Sequence, residues 1–249
     1  MLAARPVTVG AGNGKRQMTK SEAAIKIESH DALVVCDVCH TLFEVNTTAG
    51  FVRYAMRQTD PLRYGLARLL QSRRTPLLYA LLVGGKLLGQ DLGRDAQLRL
   101  LKGYYRDALS QLAGRWLDEE LGRLRRDAIY QPVKTPAGEG APIILASASI
   151  DPVVEAIAGR LGADFVCSRL EYDERGVCTG RLATDMTGAK DVALSNAIAD
   201  AGQVVVITDN ESDASLLRRA DQRIVVKRHS SQDMSAWRER LAGVEYEVV

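Results

Sequence analysis

The apolar positions of this chain change period twice. "ALVVCD" at residues 32–37 is a short, β-branched run bounded by polar residues, the pattern of a buried strand. From about Phe51 to Tyr130 the period turns helical. Leu62, Leu66, Leu69 and Leu70 fall at i, i+4, i+7 and i+8, and Leu101, Tyr104, Tyr105, Ala108 and Leu112 form a second stripe. Both stripes are expected to be the internal core of a helical insert. "QPVKTPAGEGAP" reads as a Pro/Gly-rich linker.

Beyond the linker, strand and helix alternate. "PIILAS" is a predicted strand, and Asp151-Pro152 is a predicted N-cap and first-turn pair for a helix running to about Leu161. "DFVCSRLEYDERGVCTGRL" predicts a strand and a hairpin around Glu174-Arg175-Gly176. "KDVALSNAIADA" is helical, "VVVITD" a buried strand, "SDASLLRRA" a helix and "RIVVK" a last strand. Short apolar strands separated by helices imply an α/β fold, a doubly wound and mostly parallel sheet covered on both faces. The expected organisation is a leader over residues 1–28, an α/β core of residues 29–50 and 136–249, and an all-helical insertion at 51–135.

Composition narrows this only slightly. With 46% hydrophobic and 26% charged residues the chain is an ordinary globular mixture. Its 5% aromatic content argues against a base-stacking sheet, so no nucleic acid is expected as a partner. The net charge of +2 hides an asymmetry. Residues 51–130 hold thirteen Arg and two Lys against eight acidic residues, leaving the remainder acidic. Such a pairing can steer an anion to a site between the two regions, or it can simply be solvated helix faces. The first twenty residues lack the apolar stretch of a secretory signal, and "PLLYALLVGGKLLG" is too short to span a bilayer and contains Lys86. A cytoplasmic protein with reduced cysteines and no stable membrane insertion is therefore expected. The oligomeric state is left open.

Candidate chemistry gathers at strand ends. Ligands of open parallel sheets bind beyond the carboxyl ends of the strands. There the pattern puts Asp37, then Ser147 and Ser149, then Asp209 with Asp213 four residues on, while Lys190 opens the helix before "VVVITD". Carboxylates, a hydroxyl and an ammonium are what Mg²⁺-assisted phosphoryl transfer requires: hard oxygen ligands for the metal and donors for the phosphoryl oxygens.

In this order the motifs resemble the haloacid dehalogenase-like superfamily of phosphohydrolases. "VVCDVCHTL" resembles its first motif, Asp-x-Asp-x-Thr after a strand; "IILASAS" the second; Lys190 in "GAKDVAL" the third; "VVVITDNESD" the fourth. "RLEYDERGVCTGRL" is similar to the hairpin of the phosphoserine-phosphatase-like branch, which also carries a helical cap after motif one. The resemblance implies a Rossmann-like core and a small phosphorylated substrate. It makes Asp37 the nucleophile of an aspartyl-phosphate intermediate. It makes Asp37, the backbone carbonyl of Cys39 and Asp209 the ligands of Mg²⁺, with Asp213 a further ligand or a partner of the ligands. Thr41, Ser147, Ala148 and Lys190 would bind the phosphoryl group.

One position departs from the pattern. The family's second aspartate protonates the leaving oxygen and then activates water, and here it is Cys39. A protonated thiol can donate a proton but is a poor base, so a slow phosphatase, or one favouring activated leaving groups such as a sugar 1-phosphate or an acyl phosphate, is expected. His40 is a neighbouring substitute. The alternatives are a non-catalytic binding protein of the same fold, a phosphotransferase, dehalogenation at carbon, and a redox or zinc role for Cys36 and Cys39 with Cys167 and Cys178. Relatives acting on phosphoserine carry an acidic residue nine positions after the nucleophile. Here that position is the neutral Asn46. The cap's leucines could face an apolar substrate, and its arginines could grip a second anionic group.

Overall fold

The computed structural model describes residue 27 and residues 32–72, 91–138 and 142–249. The expected leader, apart from Ile27, and the "PLLYALLVGGKLLG" stretch lie outside the described residues. A seven-stranded sheet runs in the order β4-β3-β2-β1-β5-β6-β7, where β1 is Leu33–Cys36, β2 Ile143–Ile150, β3 Asp164–Tyr172, β4 Cys178–Thr184, β5 Val204–Thr208, β6 Gln222–Val225 and β7 Glu247–Val248. All neighbours pair parallel except β3 with β4, which form the expected hairpin. Its turn closes at Gly176, whose φ of 75° is a conformation glycine adopts without strain.

The strand β1 shows why the sheet is buried on both sides. Val34 and Cys36 join one apolar cluster and Leu33 and Val35 the other, as side-chain alternation requires. The register pairs Cys36 with Leu145 on one side and Ile207 on the other. Asp37, Ser147 and Asp209 therefore follow at one edge of the sheet.

Between β1 and β2 the described residues are helical. The helices are α1 (Thr47–Thr59), α2 (Pro61–Gln71), α3 (Leu92–Arg99), α4 (Arg106–Glu119) and α5 (Asp127–Gly138), with a short 3-10 turn at Leu121–Leu124. Three expectations need correction here. The first leucine stripe is not an internal core, since Leu62, Leu66 and Leu69 are exposed and only Leu70 is buried. The second holds only in part: Leu101 and Leu112 are buried, but Tyr105 is exposed, because α4 begins after it and sets a face of Leu109, Leu112, Ala113, Trp116 and Leu117. The linker is helical as far as Gly138 despite Pro132 and Pro136. Burial of Ile129, Tyr130 and Val133 along one side outweighs the missing proline donors.

On the core side, α6 (Asp151–Leu161) starts at Asp151 rather than after it, and the Asp151 carboxylate accepts the Leu170 N–H at 2.9 Å instead of capping its own helix. The helical stretch before β5 divides into α7 (Lys190–Ala193) and α8 (Ser195–Asp200). After β5 come a 3-10 turn at Glu211–Asp213 and α9 (Ala214–Arg218), and α10 (Ser235–Arg240) buries Trp237. No helix among the described residues is long and apolar enough to cross a membrane.

Candidate active site

The end of β1 delivers Asp37, and the chain then turns sharply. His40 takes a left-handed backbone at φ 56°, unusual for a residue with a side chain. That reversal returns Thr41 to the neighbouring strand end. Its hydroxyl donates to Asp209 Oδ1 at 2.9 Å and accepts the Asp209 N–H at 2.9 Å, locking the loop after β1 to the loop after β5.

Behind Asp37 lies a buried charge cluster. Lys190 Nζ donates to Asp37 Oδ1 at 2.9 Å and to Asp213 Oδ2 at 2.7 Å, and the Thr208 hydroxyl also donates to Asp213 Oδ2 at 2.7 Å. All three charged side chains are almost entirely shielded, with at most 6% exposure. Burial acts against the charge on Lys190, but Asp37 and Asp213 outweigh it and hold the ammonium well above the ordinary lysine range. Burial pushes Asp37 up, Lys190 opposes that, and the negative charge of Asp209 pushes it up further. Asp209 is itself buried, and Arg228 donates from Nε to its Oδ2. Asp37, Asp209 and Asp213 thus share two cations, Lys190 and Arg228.

Cys39 sits one turn along, in a different setting. Its sulfur lies 2.8 Å from Thr47 Oγ1, and Thr47 donates its single hydroxyl proton to Ser149 Oγ at 2.8 Å. The thiol is therefore the donor to Thr47. Burial, then the neighbouring Asp37 charge, raises the Cys39 pKa and keeps the thiol neutral. Thr48 Oγ1 reaches the same Ser149 hydroxyl at 3.1 Å. All four cysteines are free, and among the described residues no group of three His, Cys, Asp or Glu side chains forms a metal cage.

A cavity of about 340 Å³ opens on this arrangement. Of the sequence-predicted residues, Asp37, Cys39, Ala148 and Asp209 line it, as do His40 and Ser149. Thr41, Ser147, Lys190 and Asp213 stand behind its wall. Ser147 is fully buried and its hydroxyl accepts the Ser149 N–H at 3.1 Å. Asn46 also lines the cavity, while its side-chain oxygen caps α1 through the Ala49 N–H.

Sequence reasoning missed Thr47, Thr48, Arg94, Gln97 and Arg228. Arg94 could have been suspected. It lies in the first turn of α3, after the N-cap Asp91, at the end of a helix whose dipole disfavours a cation. A local rule broken in this way marks a residue held by something distant.

Comparisons place the chain. The sequence profile of haloacid dehalogenase-like hydrolases matches residues 34–218. No match is found among curated proteins. Among solved structures, a protein with unknown function from Bordetella pertussis Tohama I superposes with a TM-score of 0.69 at 20% identity, covering 88% of this chain and 97% of that one. A phosphoserine phosphohydrolase-like protein from Francisella tularensis subsp. tularensis SCHU S4 gives 0.53 at 16% identity, over 88% and 94% of the two chains. A phosphoserine phosphatase, solved as a phospho-aspartyl intermediate analogue, gives 0.52 at 16%, over 88% and 93%. The structural likenesses bear on the fold, and the profile match covers most of the chain: it belongs to the haloacid dehalogenase-like hydrolase family.

Proposed function

We propose that the chain is a Mg²⁺-dependent phosphohydrolase acting on a small phosphorylated metabolite, with residues 51–135 as its cap. The observation that carries this is the buried Asp37, tied to Lys190 at 2.9 Å yet open to a 340 Å³ cavity. A carboxylate oriented by an ammonium and facing a small polar cavity is equipped to attack phosphorus. An Asp37 oxygen attacks, an aspartyl phosphate forms, and the substrate's ester oxygen leaves. Water then attacks the phosphorus, releasing phosphate and the Asp37 carboxylate. Lys190 orients Asp37 and opposes the burial that disfavours its charge, and the Ala148 N–H is the backbone donor left to receive a phosphoryl oxygen, since the Ser149 N–H is held by the Ser147 hydroxyl.

The donor set fits Mg²⁺. Asp37 and Asp209 repel each other across the cavity, and this cation is commonly held by one or two carboxylates, waters and the substrate phosphate. Asp37, the Cys39 carbonyl and Asp209 would hold it, and once bound it would neutralise charge on the phosphoryl group. Asp213 suits the part of a partner instead, because its Oδ2 is taken by Lys190 and Thr208. Arg228, with 49% of its side chain exposed, would release Asp209 to the metal.

The thiol of Cys39 supports a preference for activated leaving groups. Its proton is given to Thr47, and it must turn to reach a departing oxygen. The same feature favours a second reading, phosphoryl transfer to an acceptor more nucleophilic than water. The four free thiols support a reducing, cytoplasmic setting.

The test is nitrophenol release from p-nitrophenyl phosphate with Mg²⁺, with EDTA and in Asp37→Asn. Turnover is expected with the metal and lost in both other arms, in the mutant by on the order of 10⁴-fold. Turnover that survives Asp37→Asn would remove the nucleophile from the proposal.

A further inference from the structure

The strand β2 carries a defect at the site. Ser147 pairs with Cys167 and Ile150 with Ser168, so Ala148 and Ser149 have no opposite residues on β3. Such a bulge re-aims side chains beside an active site but takes backbone groups out of the ladder. Those groups still need partners. The Ser149 N–H finds the Ser147 hydroxyl. The Ala148 carbonyl finds a guanidinium from another part of the chain: Arg94 donates to it at 2.6 Å.

Arg94 makes further bonds with the core. It donates to Ser168 Oγ at 2.9 Å, to Asp185 Oδ1 at 2.8 Å and to Thr187 Oγ1 at 3.1 Å. Its side chain is only 14% exposed. A planar fork with several donors suits such divergent acceptors, and a lysine could satisfy one or two of them. The far end of α3 is fixed as well. Gly103 donates to the Cys178 carbonyl at 2.9 Å, Cys178 donates to the Tyr104 carbonyl at 2.8 Å, and Arg106 donates to the Gly176 carbonyl at 3.0 Å. At Gly180, with φ 80°, a Cβ would stand 3.0 Å from the Arg99 Cα, so α3 rests directly on β4.

We infer that Arg94 is a positioning residue of the phosphoryl site: from the cap it sets the β2 bulge at Ala148–Ser149 and holds α3 closed on the core before any substrate arrives. Both terminal nitrogens of its guanidinium are committed to the protein, which leaves them no part in gripping a second anionic group on the substrate. This inference rests on the phosphohydrolase reading for its kinetic test, and on the bulge alone for its structural one.

The experiment compares wild type, Arg94→Lys, Arg94→Met and Arg94→Ala. The first measurement is kcat and KM with p-nitrophenyl phosphate and Mg²⁺. The second is amide hydrogen exchange at Ala148 and Ser149, with β1 amides as the internal reference. Arg94→Met and Arg94→Ala are expected to lower kcat about 10²-fold, the scale of a small misplacement of reacting groups. Arg94→Lys should fall between, and added guanidinium should recover part of the Arg94→Ala loss. Exchange at Ala148 and Ser149 should quicken at least tenfold while the β1 amides stay unchanged. Folded variants with wild-type kcat and unchanged exchange would overturn the inference. So would a loss of activity accompanied by general loosening of β1 and no guanidinium recovery, the behaviour of a merely structural residue. A wild type without Asp37-dependent turnover would remove the phosphohydrolase reading alone, leaving the exchange rates to decide the role of Arg94.

Discussion

The two walls of the cavity are built on different principles. The core wall presents and is backed by full charges: Asp37 and Asp209 at the cavity, Lys190 between Asp37 and Asp213 behind it, and Arg228 on Asp209. The opposite wall is almost neutral, a chain of hydroxyls from Thr47 and Thr48 to Ser149, with the Cys39 thiol at one end and Arg94 as its one deeply engaged ion. Burying a charge is costly unless it is paired, so Asp37, Lys190, Asp213 and Asp209 depend on their partners. In the hydroxyl wall each bond contributes only about 1 kcal/mol net, less than a paired buried charge has at stake. The proposed chemistry is therefore concentrated where the cost of error is highest.

The largest test of that contrast is Lys190→Met. It leaves Asp37 and Asp213 buried without their cation, and a stability loss of about 3–5 kcal/mol is expected in urea unfolding, with hydrolysis abolished. A variant as stable as wild type would mean that the core wall does not depend on pairing.

The next test acts on the neutral wall. Cys39→Asp restores a carboxylate where the family's acid and base stands, and turnover on unactivated alkyl phosphates is expected to rise about 10²-fold. Unchanged or lower turnover would show that the thiol is not the limiting group.

A smaller effect should follow from Arg228→Gln, read by calorimetric titration with Mg²⁺. Removing the competitor for Asp209 is expected to tighten metal binding about tenfold, the scale of one hydrogen bond to a charged group. Weaker binding would instead make Arg228 part of the metal site.

The smallest concerns pH. Burial raises Asp185, but the Thr187 N–H and Arg94 outweigh it and hold its carboxyl below the usual range. A depressed carboxylate stabilises the fold fully above the unfolded value of about 3.9, and that contribution is lost as pH falls through the folded value. Asp185→Asn should therefore melt below wild type at neutral pH, and the gap should close on acidification. A gap independent of pH would assign the loss to packing.

What the sequence made legible follows the same division. Asp37, Asp209 and Lys190 stand at the ends of runs whose composition dictates strand or helix, and parallel pairing brings such ends together whatever lies between. Arg94 and Ala148 are 54 positions apart and Thr47 and Ser149 are 102 apart, joined by side-chain geometry that no period announces. The bulge in β2 is not announced by the sequence: the predicted strand "PIILAS" stops at Ser147, whereas β2 runs through the bulge to Ile150. Periodicity erred in the insert for a related reason. Leu62, Leu66 and Leu69 share a helix face, but a face says nothing about what covers it, and they are exposed. In α5, burial of Ile129 and Val133 prevailed over the breaker residues that signalled a linker.

The β2 bulge bears on how far this architecture is modular. A transplanted cap could keep the backbone bonds to Cys178 and Gly176 and dock on the hairpin in the right place. Without a guanidinium at the equivalent of Arg94 it would leave the Ala148 carbonyl without that partner beside the proposed phosphoryl site. On this inference the cap is exchangeable as a fold but not as a part. Recombination among relatives should succeed only where the incoming helix carries the matching plug, and a design that swaps caps to change substrate must move Arg94 and its acceptors together.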